Sequence, residues 1–247
     1  MTVLINNLVA DTPDHERARQ LSTKYEGWNA ESILRDTIGQ EFAGKIALTS
    51  SFGADAVALL HLVAKIDRTT PVIFLDTDRH FFQTLQYRDE LVEALGLTNL
   101  TNLRPALEDI RALDPKNTLF QSDPDACCDF RKTKPLAAVT KDYAAWISGR
   151  KRHQAATRAN LSVVEFDGRN FKINPLANWT AQDVADYIRA HNLPEHPLVA
   201  QGYPSIGCFT CTKPVEEGQD ARSGRWAGQD KTECGIHLNV YDDGEGI

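Results

Sequence analysis

The sequence predicts an α/β fold with a mainly parallel sheet and helices on both faces. Three observations carry that expectation. Short apolar runs recur at Ile46-Ala47-Leu48, at Pro71-Val72-Ile73-Phe74-Leu75 and from Leu100 to Leu103. Helically spaced segments separate them: Val57, Leu60, His61 and Ala64 fall in register, and a second helix spans about Phe82 to Leu95. Strands that alternate with helices pair in parallel through crossover connections.

The elements follow in order. Residues 1–28 are polar and weakly periodic and read as an N-terminal arm or an irregular helix. Asn29 is an N-cap candidate for a helix carrying Ile33, Leu34 and Ile38. Ile46 to Leu48 is a first buried strand, and Ser50-Ser51-Phe52-Gly53-Ala54-Asp55 joins it to the next helix. Pro71 to Leu75 is a second strand ending in Asp76-Thr77-Asp78; Leu100 to Leu103 is a third, and Trp146-Ile147-Ser148 a fourth. Ser162 to Phe166 and Phe171 to Ile173 flank Asp167-Gly168, a hairpin signal. Thr180 caps a helix through Asp183, Ala185, Ile188 and Arg189. Beyond Leu193 the chain is rich in Pro and Gly, and we divide it into an arm (1–28), an α/β nucleotide-binding domain (29–200) and a loop-rich C-terminal segment (201–247).

Composition narrows the function. The chain has 247 residues, enough to bury a sizeable core. No apolar run approaches the roughly 20 residues of a membrane span, and the first residues lack the features of a secretory signal. A cytoplasmic location is therefore expected, where thiols stay reduced. The net charge of -7 disfavours a nucleic-acid binder. Yet Arg131, Lys132, Lys134, Lys141, Arg150, Lys151, Arg152 and Arg158 face only Asp142 in their stretch, which reads either as a compact anion site or as a solvated basic face.

The five cysteines carry the chemistry. They fall as an adjacent pair, Cys127-Cys128, a C-x-x-C, Cys208 and Cys211, and a late single, Cys234. Reduced doublets point to metal ligation, and four thiolates suit zinc or an iron–sulfur cluster. Structural zinc sites commonly space both pairs as C-x2-4-C, so the adjacent pair favours iron–sulfur. Cys234 stands apart, with His237 three residues on and Arg222, Arg225 and Lys231 upstream; such cations raise a thiol's reactivity. The Ser50 to Asp55 loop lies at a strand-to-helix junction where an anion can bind, but it lacks the G-K-[ST] ending of a Walker A loop and reads equally as a plain turn. Asp76 and Thr77 either face the same crevice or cap the next helix.

Taken in order, Ser50-Ser51-Phe52-Gly53-Ala54-Asp55, Leu75-Asp76-Thr77, Cys127-Cys128-Asp129-Phe130-Arg131-Lys132, Trp146-Ile147-Ser148-Gly149-Arg150, Gly207-Cys208-Phe209-Thr210-Cys211, Gly224-Arg225-Trp226 and Glu233-Cys234-Gly235-Ile236-His237 resemble the phosphoadenylyl/adenylyl sulfate reductase family, in its iron–sulfur branch. The resemblance implies an ATP-pyrophosphatase-like (adenine nucleotide alpha hydrolase-like) fold. It implies reduction of adenosine 5'-phosphosulfate (APS) to sulfite and AMP in assimilatory sulfate reduction, with thioredoxin as reductant. Cys127, Cys128, Cys208 and Cys211 would hold a [4Fe-4S] cluster, and Cys234 would carry an S-sulfocysteine intermediate. Lys132, Arg222 and Arg225 would contact the phosphosulfate with His237 beside it. Ser51, Phe52, Gly53, Leu75, Gly149 and Arg158 would line the nucleotide pocket. Lys213 stands where the family often has arginine, and no thioredoxin-like domain follows within the 247 residues, so a separate reductant is expected. The resemblance admits a homo-oligomer. Two alternatives stay open: a reductase preferring, or also using, the 3'-phosphorylated nucleotide (PAPS), and a zinc-stapled module that senses a nucleotide or thiol. The Gly-rich stretch from Gly218 to Gly228 reads as a mobile link to Cys234 or as a disordered tail.

Overall fold

The computed structural model describes residues 12–216, 218–229 and 231–237. Its centre is one six-stranded sheet of order β3-β2-β1-β4-β6-β5, built from β1 (Ile46–Ser50), β2 (Val72–Leu75), β3 (Leu100–Leu103), β4 (Ala145–Ile147), β5 (Val164–Phe166) and β6 (Phe171–Ile173). All pairings are parallel except the β5–β6 hairpin at the edge. Asp167 closes that hairpin by accepting from the backbone N–H groups of Arg169 and Asn170, and Gly168 takes the left-handed φ of 96° that the turn requires.

Alternation along the strands fixes two faces. Ile46, Leu48, Val72, Phe74, Ala145 and Ile147 enter the main core, together with side chains of the helices α2 (Ala30–Asp36), α3 (Ala56–Ile66), α4 (Phe82–Leu95) and α9 (Ala181–Ala190). Ala47 and Ile73 point the other way, onto Leu136 and Val139 of α8 (Lys134–Thr140). Helices thus cover both faces, as expected for a sheet of apolar parallel strands. In α3, Val57 to Leu60 and Leu62 to Ala64 are all buried, so this helix is enclosed nearly all round.

Residues 13–24, expected as an arm or an irregular helix, form the regular helix α1 (Pro13–Lys24). Thr12 caps it, Pro13 stands in its first turn, and Ala18 and Leu21 are buried. Ser22 Oγ donates to the Val164 carbonyl (2.8 Å) and accepts from the Val164 N–H (2.9 Å), so α1 docks on edge strand β5. The expectations for residues 1–11 lie outside the described residues.

Between β3 and β4 the chain forms short helices that the sequence did not announce: α5 (Leu107–Leu113), α6 (Leu119–Ser122) and α7 (Pro124–Cys128), the last running through a π-helical turn, Asp129–Thr133, into α8. A buried ion network ties them down. Asp114 accepts from Arg79 (3.1 Å) and Arg131 (3.0 Å), and also from the backbone N–H groups of Thr118 and Leu119. Burial alone would push the Asp114 carboxyl up, but these donors hold it below the usual carboxylate range.

The described part of 201–237 contains only short helical turns and bridges. It is folded back against the sheet's C-terminal edge: His80 bridges Cys208, Thr212 bridges Arg225, and the Lys213 N–H donates to the Gly224 carbonyl (2.9 Å). A Cβ on Gly224 would land on the Lys213 carbonyl. Gly224→Ala is expected to cost about 1–3 kcal/mol by overpacking, read as a lower urea midpoint at unchanged slope.

A second expectation concerns acid. His196 is buried; its Nδ1 accepts the Leu198 N–H (3.1 Å), so Nε2 carries the proton toward Thr84 Oγ1 (3.0 Å). Burial lowers its pKa from 6.5 to about 4. The unfolded chain therefore protonates first. The stabilisation, about 3 kcal/mol at most, is complete above 6.5 and is lost as pH falls toward 4. Denaturation at a series of pH values should show this loss, and His196→Asn should show a shallower one.

Candidate active site

The strand order reverses about β1, with β2 and β3 on one side and β4, β6 and β5 on the other. Ligands of open parallel sheets sit in the crevice at such a point, beyond the carboxyl ends of the strands. A cleft of about 520 Å³ lies there. Its walls include Leu48 to Ser51 at the end of β1, Leu75 at the end of β2 and Ser148 to Lys151 after β4.

The β1–α3 junction is shaped by Phe52. Its ring packs edge-on against Phe74 in the core (5.5 Å between centroids) while its backbone takes a φ of 48°. A non-glycine residue held in that region is a strained turn over-determined by packing. The consequence is that Ser51, Gly53, Ala54, Asp55 and Ala56 line the cleft while the Phe52 ring does not. Any contact Phe52 makes with a ligand comes from its backbone. Gly53 is needed for a close approach, since a Cβ would sit 3.3 Å from the Ile206 carbonyl oxygen. On the facing wall, Lys151 pairs with Asp55 (3.1 Å) and Arg150 with Glu165. Leu75, Gly149 and Arg158, which the resemblance assigns to a nucleotide pocket, also line the cleft.

Beside the cleft is a second, small cavity. Cys127, Cys128, Cys208 and Cys211 all line it, with Thr77, Arg79, Arg131, Lys132 and Trp226. The two doublets, some 80 residues apart in the chain by their numbering, are therefore brought together. The C-terminal end of α7 and the π-helical turn after it present Cys127, Cys128 and Lys132; π-helical turns recur at functional sites. The bridge from His80 to Cys208 and the Arg79 carbonyl's bond to the Phe209 N–H (2.7 Å) hold the C-x-x-C. Among the described residues no group of three or more His, Cys, Asp or Glu side chains is set to hold a single metal ion. The four sulfurs border a cavity instead of meeting at a point.

Electrostatics distinguish these thiols. Burial pushes Cys128 up to about 11 against the pull of Lys132, and pushes Cys127 up against Arg131. Burial would raise Cys208 too, but Lys132, the Thr77 hydroxyl (3.3 Å) and Arg225 outweigh it and lower that thiol. Lys132 shows the reciprocal effect: burial opposes its charge, yet Cys208, Cys234 and Cys128 raise its pKa. Lys132, Cys208 and Trp226 line both the cavity and the cleft. They form the wall between them.

Cys234 lines the cleft with Lys132, Arg222, Arg225 and His237. It is part-exposed. His237 stacks on Trp146 (5.4 Å, 16°), and burial, helped by Arg150, Arg158, Lys172 and Arg222, keeps its imidazole neutral. The Arg225 guanidinium lies over Trp226 (4.5 Å) and directly on Gly207, where a Cβ would collide with it. Arg225 Nε, Trp226 Nε1 and His237 Nδ1 are buried and have no hydrogen-bond partner among the described residues. Buried polar atoms are usually satisfied, so these three leave hydrogen-bonding capacity at the cleft wall.

Four groups escaped the sequence reading. Asp114 and Arg79 position Arg131 from segments without a local motif. Glu165 holds Arg150. Glu233, next to Cys234, takes Arg158 in a two-pronged ion pair (2.7 and 2.8 Å). The basic stretch divides accordingly: Lys132, Arg150, Lys151 and Arg158 line the cleft, Arg131 is buried on Asp114, and Lys134 and Lys141 are exposed.

Comparison with known proteins shows the family. Residues 45–214 match the phosphoadenosine phosphosulfate reductase domain. An adenosine 5'-phosphosulfate reductase of Mesorhizobium japonicum is 54% identical, over 93% of this chain and 91% of the relative. A phosphoadenosine 5'-phosphosulfate reductase of Gloeobacter violaceus is 36% identical, over 94% and 99%. A crystal structure of phosphoadenylyl-sulfate reductase from Candida auris, in a phosphate complex, superposes with a TM-score of 0.68 at 26% identity, covering 81% of this chain and 97% of that one. The parallel sheet, the cleft at its switch point and these matches establish that the chain belongs to the phosphoadenosine phosphosulfate reductase domain family.

Proposed function

We propose that the chain reduces APS to sulfite and AMP with thioredoxin as the electron donor, and that Cys234 is the nucleophile. The observation that carries this reading is the placement of Cys234: it shares one cleft with Lys132, Arg222 and Arg225, while the other four cysteines border the adjoining cavity.

In this reading the nucleotide lies along the β1–α3 junction with its phosphosulfate toward Lys132 and Arg225. Among the described residues neither cation is paired with a carboxylate. The Cys234 thiolate attacks the sulfate sulfur, a sulfur–sulfur bond forms, the bond from sulfur to the bridging oxygen breaks, and AMP leaves with that oxygen. Lys132 and Arg225 neutralise the charge that gathers on the leaving phosphate. His237, neutral and stacked on Trp146, keeps Nδ1 free for a ligand oxygen. One thioredoxin thiolate then attacks Cys234 Sγ and expels sulfite. The second resolves the mixed disulfide, and the two electrons come from the dithiol.

Cys127, Cys128, Cys208 and Cys211 fit a [4Fe-4S] cluster by donor type, by their shared cavity and by the cations around it, Arg79, Arg131 and Lys132, which offset thiolate charge. Bound there, a cluster would supply a fixed charge that tunes the phosphosulfate site through Lys132. The Gloeobacter relative favours one further reading, use of PAPS as well as APS; the ratio of sulfite release rates from the two nucleotides decides it.

Three substitutions test the proposal. Cys234→Ser is expected to abolish sulfite release and keep the iron, sulfide and broad visible absorbance of anaerobically purified protein, whereas Cys208→Ser loses them. Retained turnover in the first, or unchanged iron in the second, contradicts the assignment, and a colourless wild-type protein with stoichiometric zinc supports the zinc-stapled module. Lys132→Met is expected to lower kcat/KM for APS by about 100-fold or more, the scale of removing one charge-stabilising donor.

A further inference from the structure

Two arginines that line the cleft with Cys234 are already occupied by a carboxylate of this chain. Arg158 donates from Nε and Nη2 to the two oxygens of Glu233 (2.7 and 2.8 Å), and Arg222 Nη2 lies 3.5 Å from the same carboxylate and donates to the neighbouring Thr232 carbonyl (2.8 Å). These side chains are mostly shielded, at 10%, 19% and 17% exposure for Arg158, Arg222 and Glu233. All three line the nucleotide cleft, and Glu233 immediately precedes Cys234. A fork-on-fork pair of this kind reproduces how guanidinium groups grip a phosphate or sulfate.

We infer that the Glu233 carboxylate is a built-in stand-in for the substrate's anion, which holds the Cys234 segment in the cleft and must yield an arginine when the nucleotide binds. Glu233 is a positioning residue that acts through Arg158 and Arg222, and it touches no reacting atom. The contacts are unequal: Arg158 makes the two-pronged pair, and Arg222 makes a single longer contact at 3.5 Å. The device has two consequences. Nucleotide affinity is lowered by the competing carboxylate, and Cys234 is restrained until an anion arrives. Other cleft carboxylates do not share this position: Asp55 is on Lys151, and Asp220 accepts the Arg222 backbone N–H (2.7 Å) while lying exposed.

The inference rests on the cleft being the nucleotide site, and AMP, the nucleotide product, tests both separately by calorimetry without turnover. Glu233→Gln keeps the shape and removes the charge; it is expected to bind AMP about tenfold more tightly than wild type, as expected when a competing charge is removed. Cys234 should be alkylated several-fold faster by a neutral reagent such as iodoacetamide, followed peptide by peptide by mass spectrometry. A merely structural role would weaken AMP binding or leave it unchanged, and either result overturns the inference. Asp220→Asn is the control for a general field effect: equal tightening there also overturns it. If wild type binds no AMP, the nucleotide reading itself fails and the inference falls with it. Should Glu233→Gln not fold, the wild-type chain gives the same answer, because inorganic phosphate should accelerate Cys234 alkylation by taking the guanidiniums, and no acceleration overturns the inference.

Discussion

The site depends on one cation. Lys132 stands in the wall shared by the four-cysteine cavity and the cleft, where its charge is held by Cys208, Cys128 and Cys234 against the cost of burial. An ammonium in that position couples two sets of sulfur chemistry that have no covalent link. It lowers the Cys208 thiol, and it interacts with Cys234, which lines the cleft.

The fold delivers that cation through two devices. The parallel sheet opens its crevice at β1, and a ring locked between core strands, Phe52 against Phe74, forces the strand-to-helix turn that forms one wall. Opposite, the buried Arg79–Asp114–Arg131 network fixes the short helices of 107–128. Arg131 also donates to the Thr77 carbonyl (2.9 Å), and Thr77 in turn reaches Cys208. Breaking one partner of such a network strands a buried charge, so the geometry of Lys132, the next residue along, is strongly specified. The C-terminal segment then closes the site from above through backbone pairing of 211–213 with 224–226 and through the Glu233–Arg158 pair.

Much of this was legible in the sequence, for a physical reason in each case. Parallel strands are buried on both faces, so Ile46 to Leu48 and Val72 to Leu75 appear as continuous apolar runs, and Phe82 to Leu95 has a helical period long enough to read. The short helices from Leu107 to Cys128 did not announce themselves because α5 and α6 bury no residue and their cohesion comes from Asp114, whose partners lie 17 and 35 positions away. Helix α1 was hidden by its polarity, since only Ala18 and Leu21 face inward. In the site, the cysteine doublets and the cations near Cys234 were visible as local spacing. The resemblance placed Phe52 in a nucleotide pocket with its loop; the strand-to-helix geometry sends its ring into the core, against Phe74. Glu233 was visible as a neighbour of Cys234, but its partner Arg158 lies 75 residues away, a relation that only the folded chain reveals.

The central claim is that Cys234, alone among five cysteines, meets the activated sulfate. Its most direct test is to incubate the anaerobically purified chain with APS and no reductant, then digest it and map added mass. The account expects one sulfonate group on the peptide bearing Cys234, with AMP released in equal amount and sulfite appearing only after thioredoxin is added. A sulfonate on Cys127, Cys128, Cys208 or Cys211, or AMP release with no adduct on any cysteine, would contradict it.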